Sequence, residues 1–250
     1  MPPVLETIGL VKRFGGITAA SDVSLQIEKG ARHALIGPNG AGKTTVVNLL
    51  TGMLRPSEGK IRLDGQDITN VEPHMRVRLG IARTFQINQL FADLTPIEAI
   101  GLAVSERMGT GRQWWRLVGR RPEVVEDVIA IIEQFQLADV MYDRTAILPY
   151  GKQRLLEIAL AIACRPRVLL LDEPAAGVPE AERHEILTTV ARLPKDVTVL
   201  LIEHDMDLVF SFADRISVLV NGAMLVEGPP EAVARDPQVK AVYLGEGADA

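Results

Sequence analysis

This chain of 250 residues has little cysteine, no excess of positive charge and no signal-peptide pattern, and each of these absences argues against a class of function. It has one cysteine, Cys164, so no intrachain disulfide can form, and we expect a buried apolar role for this thiol rather than catalysis. The formal net charge is −5, which argues against a general electrostatic grip on nucleic acid, so we expect no nucleic-acid partner. The first residues, MPPVLETIGL, lack the basic start and the long apolar core of a signal peptide.

Apolar runs long enough to span a bilayer are also missing from the sequence. The most suggestive run, Leu155 to Leu171, is interrupted by Glu157 and by Arg165-Pro166-Arg167. Hydrophobic residues make up 47% of the chain and charged residues 24%, which is usual for a globular protein with a substantial core. We therefore expect a chain that does not itself cross a membrane but that can dock on a membrane protein.

Strand and helix patterns alternate along the chain and predict an α/β fold. The runs typical of strands are Leu25–Ile27, Lys60–Leu63, Val168–Leu171, Val197–Ile202, Ile216–Val220 and Ala223–Val226. Asn221-Gly222, between the last two runs, is a strong hairpin signal. From about Pro73 to Ala163 the pattern is mostly helical, with Val124 to Phe135 as its clearest part, and Pro230 to Leu244 predicts short helices.

The most informative stretch reads Gly37-Pro38-Asn39-Gly40-Ala41-Gly42-Lys43-Thr44, followed by Thr45. It matches the pattern G-x-x-x-x-G-K-[ST], in which backbone N–H groups surround phosphates. An apolar strand, Ala34 to Ile36, precedes the loop and a helix-compatible run follows it, which is the required order. We expect Lys43 to reach the outer phosphates and the Thr44 hydroxyl to ligate Mg²⁺. The alternative, a glycine-rich turn before an ordinary helix, fits a complete match in this context poorly.

Two later strand patterns end in polar residues. Asp172-Glu173 follows the run that ends at Leu171, and Glu203-His204-Asp205 follows the run that ends at Ile202. Ligands of parallel sheets lie at the carboxyl ends of the strands. We therefore expect Asp172 to hold Mg²⁺, directly or through water, Glu173 to polarise an attacking water, and His204 to contact the terminal phosphate. The alternatives are solvated acids that cap a strand and a structural histidine.

Taken in this order, the segments resemble the ATP-binding subunits of ABC transporters over nearly the whole chain. Thr84-Phe85-Gln86 matches the glutamine loop of that family, and Leu148 to Gln153 stands where its signature sequence belongs. Ala175 to Val178 occupies the D-loop position, and His204 matches the switch histidine. Phe14 lies where an aromatic residue stacks on adenine, although an ordinary core phenylalanine is the alternative.

The resemblance implies further roles for residues at these positions. Gln86 is implied to take part in catalysis and in the Mg²⁺ site. Tyr150, Gly151, Lys152 and Gln153 are implied to contact ATP as part of the signature.

The signature departs from the common LSGGQ form of the family. Pro149 and Tyr150 replace its serine and its first glycine, so the hydroxyl that would bind the γ-phosphate is absent. Gly151 remains, as does a helix start that can present N–H groups to phosphate. We therefore expect less than the full rate of hydrolysis at the site that this signature completes. The D-loop also lacks its usual acidic residue, since Ala175 to Pro179 is small and apolar.

Five segments narrow the resemblance to one subfamily. The chain resembles the ATPases of branched-chain amino acid importers in GIARTFQ (Gly80 to Gln86), LFADLT (Leu90 to Thr95), the Leu-x-Tyr-Gly signature, EPAAG (Glu173 to Gly177) and the terminal VYLGE (Val242 to Glu246). The alternatives within the family are a lipopolysaccharide-export ATPase and importers of urea or short amides. Outside transport, the alternatives are an ABC ATPase acting on nucleic acid or ribosomes and a regulatory module with an inactive site.

The resemblance implies an α/β P-loop NTPase fold with a mixed β-sheet core, an N-terminal antiparallel β-subdomain and a helical subdomain insertion. Residues 1–250 would form a single ABC ATPase domain, with the helical subdomain at about 88–163 and a short helical C-terminal extension at about 228–250. The implied partners are transmembrane permease subunits, an identical or different second ATPase subunit joined head to tail around ATP, and indirectly a solute-binding protein. The implied location is the cytoplasmic face of the inner membrane.

Overall fold

The computed structural model describes residues 2–84, 90–109 and 122–245, which form two compact units. The sheet unit comprises Met1–Arg83, Arg167–Glu173 and Pro194–Ala250. The helical unit comprises Thr84–Pro166 and Pro174–Leu193. All the strands found in the described ranges belong to the first unit, and the described parts of the segment between β6 and β7 contain helices, so the predicted α/β class is confirmed.

The strands are β1 (Leu5–Phe14), β2 (Ile17–Ile27), β3 (Arg32–Ile36), β4 (Glu58–Leu63), β5 (Gln66–Asp67), β6 (Ile81–Arg83), β7 (Val168–Asp172), β8 (Thr198–Ile202), β9 (Arg215–Val220) and β10 (Ala223–Gly228). The α-helices are α1 (Lys43–Thr51), α2 (Pro73–Leu79), α3 (Pro96–Arg107), α4 (Pro122–Gln134), α5 (Tyr150–Ala163), α6 (Glu180–Ala191), α7 (Met206–Phe212), α8 (Pro230–Arg235) and α9 (Pro237–Gly245).

The sheet unit contains two sheets. A four-stranded antiparallel sheet has the order β2-β1-β4-β5, and a six-stranded mixed sheet has the order β10-β9-β3-β8-β7-β6. Among the described strands of the mixed sheet, β10 is antiparallel to its neighbour β9, and the other neighbouring strands run parallel. One hydrophobic core joins apolar residues of both sheets to the buried face of α1.

Burial explains why these residues form these strands. Every residue of β3, β7 and β8 is buried, as is expected of parallel strands that are covered on both faces. The later half of β2 alternates between exposed and buried residues, which is typical of a strand with one solvated face. The β9–β10 hairpin turns at Asn221 (φ 50°) and Gly222 (φ 80°), the left-handed pair that a two-residue turn requires.

The strand β6 is an element that the sequence pattern does not reveal. Its three residues lie inside the stretch predicted to be mostly helical, and they are too few for any periodicity to show. It follows α2, whose last residue, Leu79, is succeeded by Gly80 in a left-handed conformation (φ 104°). Parallel pairing of Ile81 with Val168 then places β6 at the edge of the mixed sheet.

The helical unit follows the predicted helical pattern. In α4 the buried residues are Val124, Val128, Ile131 and Ile132, at the spacing of one helix face. At the start of α3, Thr95 and Glu98 form a reciprocal capping box.

The expectation that Cys164 is buried is wrong. The apolar face of α5 is buried, but the helix ends at Ala163 and Cys164 lies one residue beyond it, where its side chain is exposed.

Candidate functional site

The phosphate-loop sequence lies between the fully buried β3 and the start of α1, as predicted. A side chain at two of its glycines would collide with backbone. A Cβ added at Gly37 (φ 155°) would lie 2.1 Å from the Leu219 carbonyl oxygen, and one at Gly42 (φ 99°) would lie 2.4 Å from that of Ala19. The loop therefore packs against β9 and β2 so closely that only glycine fits.

The turn of the β9–β10 hairpin also supports the loop. The Gly222 backbone N–H donates to the Ala41 carbonyl at 2.9 Å, and the Ser21 N–H donates to the Gly222 carbonyl at 2.8 Å. These bonds connect the loop, the hairpin turn and β2. The shape of the loop is thus held by neighbouring backbone rather than by its own sequence alone.

Lys43 is the first residue of α1, and its side chain folds back over the loop. Its Nζ donates to the carbonyl oxygens of Gly37 at 2.5 Å and Pro38 at 3.0 Å. Thr44 and Thr45 follow in the first turn, where Thr44 is exposed. Pro38, Asn39 and Gly40 complete the loop, and Asn39 and Gly40 are exposed. A helix start with an ammonium group and exposed backbone beside it suits a bound polyphosphate.

Asp172 is the last residue of β7, and its carboxylate is held by an arginine. Arg83 donates from Nη2 to Asp172 Oδ2 at 2.6 Å and from Nη1 to Asn48 Oδ1 at 2.7 Å. The Arg83 and Asp172 side chains are 13% and 7% exposed. The guanidinium therefore ties the ends of β6 and β7 to α1, although sequence reasoning assigned no role to Arg83 or Asn48.

Glu173 and His204 lie next to each other at the ends of the paired strands β7 and β8. Asp172 is in register with Ile202, and the Glu173 N–H donates to the Ile202 carbonyl at 2.9 Å. Glu173 has φ 48°, which turns the chain sharply after the strand. Its Oε1 lies 3.8 Å from His204 Nδ1. The predicted pair of a carboxylate and a histidine is therefore brought together.

A third acid in this cluster was not given a role by the sequence analysis. Glu203 is 2% exposed, and burial is the main cause that raises the pKa of its carboxyl group. Its Oε2 lies 3.6 Å from His204 Nδ1. The signal that could have found it is its position directly after a buried strand, which it shares with Asp172 and Glu173.

The oxygen donors present fit a magnesium ion. Thr44 offers a hydroxyl and Asp172 a carboxylate, and Mg²⁺ prefers such ligands together with substrate phosphates rather than an all-protein cage. No group of three or more potential ligands from His, Cys, Asp and Glu is found in ranges 2–84, 90–109 and 122–245. Gln86, the other predicted ligand, lies outside the described residues.

Phe14, predicted to stack on adenine, is the last residue of β1 and is 46% exposed. The alternative of a core phenylalanine is therefore wrong. The Lys12 Nζ lies 5.1 Å from the centroid of the ring, within the range of a cation–π contact. An exposed ring of this kind leaves a face to which a flat ligand can bind.

The predicted signature residues lie in the helical unit, where Tyr150 to Gln153 form the first turn of α5 after Pro149. Tyr150 is 38% exposed and packs on Arg154, whose guanidinium carbon lies 5.2 Å from the ring centroid. Gly151 is buried against the Glu182 side chain, whose Oε2 would lie 2.1 Å from an added Cβ.

Lys152 and Gln153 make contacts within the same unit. The Lys152 Nζ binds the Gln136 carbonyl at 2.5 Å and Asp139 Oδ1 at 3.1 Å. The Gln153 Nε2 donates to the Leu148 carbonyl at 2.9 Å. Both side chains therefore help to shape this helix start.

Comparisons with known proteins show which chains this one is similar to. The family model described as ABC transporter matches residues 20–176, and the model described as branched-chain amino acid ATP-binding cassette transporter matches residues 223–249. The high-affinity branched-chain amino acid transport ATP-binding protein BraF of Pseudomonas aeruginosa is 42% identical over 255 residues, covering 98% of each chain. The corresponding protein LivG of Escherichia coli is 39% identical over 251 residues, again covering 98% of each chain.

Solved structures give the same result for the fold. The ADP conformation of an ATP-binding cassette of an ABC transporter superimposes with a TM-score of 0.84 at 33% identity, covering 98% of this chain and 100% of that one. A nucleotide-free ATP-binding cassette from an ABC transporter gives a TM-score of 0.82 at 32% identity, covering 97% of this chain and 99% of that one. None of the helices in the described part of the chain combines the length and apolar character that crossing a bilayer requires.

Proposed function

The chain belongs to the ABC transporter family of ATP-binding subunits, and from that premise we propose that it powers the import of branched-chain or other hydrophobic amino acids through membrane permease subunits. Relatives that are named for branched-chain amino acid transport match it over nearly their whole length. The match of residues 223–249 to a model of that transporter group supports the same cargo class.

The observation that carries the proposal is the cluster at the carboxyl ends of the parallel strands β3, β7 and β8. The phosphate loop with Lys43 follows β3, Asp172 and Glu173 end β7, and His204 follows β8. A triphosphate needs positioning and charge neutralisation more than covalent chemistry, and this cluster supplies both.

In the proposed reaction, backbone N–H groups of the loop residues from Asn39 to Thr44 bind the phosphates and Lys43 neutralises their negative charge. Glu173 accepts a proton from the attacking water while His204 contacts the terminal phosphate. Phe14 stacks on the adenine ring, and Gln86 takes part in the site as the family pattern implies. Thr44 and Asp172 would hold Mg²⁺, which would supply positive charge beside the phosphates.

The signature at the start of α5 suggests a second ATPase subunit as a partner. We propose that Tyr150 to Gln153 of one subunit face the ATP held by the phosphate loop of a second ATPase subunit, in a head-to-tail pair. ATP would then favour the closed pair because it binds that state more tightly than the open one. Permease subunits would hold this pair at the cytoplasmic face of the inner membrane and would receive cargo from a solute-binding protein.

The test is Glu173→Gln in the complex assembled with its permease subunits. The substitution keeps the shape of the side chain but removes the proton acceptor, so we expect ATP binding to persist and turnover to fall by roughly 100-fold or more. Phosphate release and binding of a fluorescent ATP analogue measure the two properties separately. The matched control is Glu28→Gln, since Glu28 is exposed and lies outside the site. Equal turnover in mutant and wild type would remove Glu173 from the role of base.

A further inference from the structure

The segment between β8 and α7 consists of three polar residues, Glu203, His204 and Asp205. Asp205 caps α7, because its Oδ1 accepts from the N–H groups of Asp207 at 3.1 Å and Leu208 at 3.3 Å. Glu203 instead points inward and is 2% exposed. The two acids that flank His204 therefore have different surroundings, and only Glu203 is buried.

A buried carboxyl group needs hydrogen-bond partners, because its transfer from water to the protein interior without them costs free energy. Glu203 Oε2 accepts from the His204 backbone N–H at 3.1 Å, and the Asp205 N–H is a further donor to this carboxyl group. The side chain thus binds the backbone of the very segment that carries His204. Glu203 thereby holds the backbone of His204 in place.

The same carboxyl group also faces the imidazole of His204. Nδ1 lies 3.6 Å from Glu203 Oε2 and 3.8 Å from Glu173 Oε1, while the His204 side chain is 65% exposed. Negative charge beside one ring nitrogen favours a proton on that nitrogen. In the neutral ring the lone pair is then left on Nε2.

From this geometry we propose that Glu203 is a positioning residue for His204. It fixes the backbone of His204 through one hydrogen bond and, together with Glu173, keeps the ring proton on Nδ1. The inference rests on the proposed function, in which His204 contacts the terminal phosphate. Glu203 itself touches no substrate, and its effect on hydrolysis passes through the histidine.

The first measurement is the tautomer of His204 in the full chain without nucleotide. The chain has four histidines, so labelling their ring nitrogens gives few signals, and His204→Gln identifies those of His204. At about pH 8 we expect the nuclear magnetic resonance pattern of a ring protonated on Nδ1. A wild-type ring protonated on Nε2 instead would overturn the proposal, whatever the variants do.

The second measurement compares Glu203→Gln with the exposed control Glu231→Gln. The glutamine keeps an acceptor for the backbone N–H but loses the negative charge, so we expect the His204 proton to move toward Nε2. In the assembled complex we expect kcat to fall roughly 10-fold with KM for ATP changed by less than about 2-fold, as for other residues that orient a functional histidine. The control should match wild type in both.

Two outcomes would contradict the inference. An unchanged tautomer in Glu203→Gln would show that its carboxylate does not place the proton. An altered tautomer with wild-type kcat would show that placing it has no effect on hydrolysis. Failure of the proposed function is a different result, because the wild-type complex itself would then hydrolyse no ATP while the tautomer measurement would still be valid.

Discussion

Replacing Arg83 with methionine tests whether the ion pair beneath the site stabilises the fold. The change keeps much of the side-chain volume but removes two short contacts, to Asp172 Oδ2 at 2.6 Å and to Asn48 Oδ1 at 2.7 Å. It leaves the carboxylate of Asp172, which is 7% exposed, without its cation. Breaking a buried pair on one side costs about 3–5 kcal/mol, and we expect about 3 kcal/mol because Arg83 keeps some access to water.

The assay is urea unfolding of the chain, supported by thermal unfolding, where a loss of about 3 kcal/mol corresponds to a Tm lower by about 6–12 °C. Arg167→Met is the matched control. Its ion pair with Asp64 is as short, at 2.7 Å, but the two side chains are 61% and 46% exposed, so we expect a loss below about 1 kcal/mol.

Similar losses for the two variants would refute the reasoning, since burial would then not decide the strength of the pair. A second check combines Arg83→Met with Asp172→Asn. If the ion pair carries the effect, the double variant loses less stability than the sum of the two single variants. Strict additivity, within about 0.5 kcal/mol, would show that the two side chains do not act together.

Two further predictions concern nucleotide binding and the pH dependence of stability. In Lys43→Ala, loss of the ammonium group should weaken nucleotide binding by roughly 10-fold or more, and an unchanged titration of a fluorescent ATP analogue would contradict this. Burial lowers the pKa of His33 from 6.5 to about 4. As the pH falls, the imidazole of the unfolded chain therefore binds a proton before that of the folded chain does, and acidification favours unfolding. The free energy of unfolding should therefore fall by about 2 kcal/mol more for wild type than for His33→Gln between about pH 7 and about pH 5, as measured with urea, and equal slopes would refute the assignment.

The parts of the site that depend on local order along the chain could be predicted from sequence. The strand, glycine loop and helix around Lys43 are contiguous, and Asp172 and Glu173 lie at the end of an apolar run that is typical of a buried strand. The Asn221-Gly222 turn was predictable for the same reason, because its conformation depends on the two residues themselves.

The parts that depend on tertiary pairing could not be predicted. Arg83 and Asp172 are 89 positions apart, and they meet only because the three-residue β6 pairs with β7. The burial of Cys164 was predicted wrongly because composition gives the average environment of a residue type, whereas the end of α5 decides this one. Glu203 gave a usable signal by following β8, but its burial becomes visible only with the packed sheet.

The contacts behind the phosphate loop have a consequence for how a nucleotide is received. Since the Leu219 carbonyl lies over Gly37 and the Gly222 N–H holds Ala41, the curvature of the loop is a product of folding and exists before any anion arrives. The entropy of ordering these residues is thus lost once, when the chain folds, and not again at each catalytic cycle. Affinity for the triphosphate is thereby linked to the integrity of a hairpin that is distant in sequence, so a substitution that disrupts its turn would also weaken ligand binding.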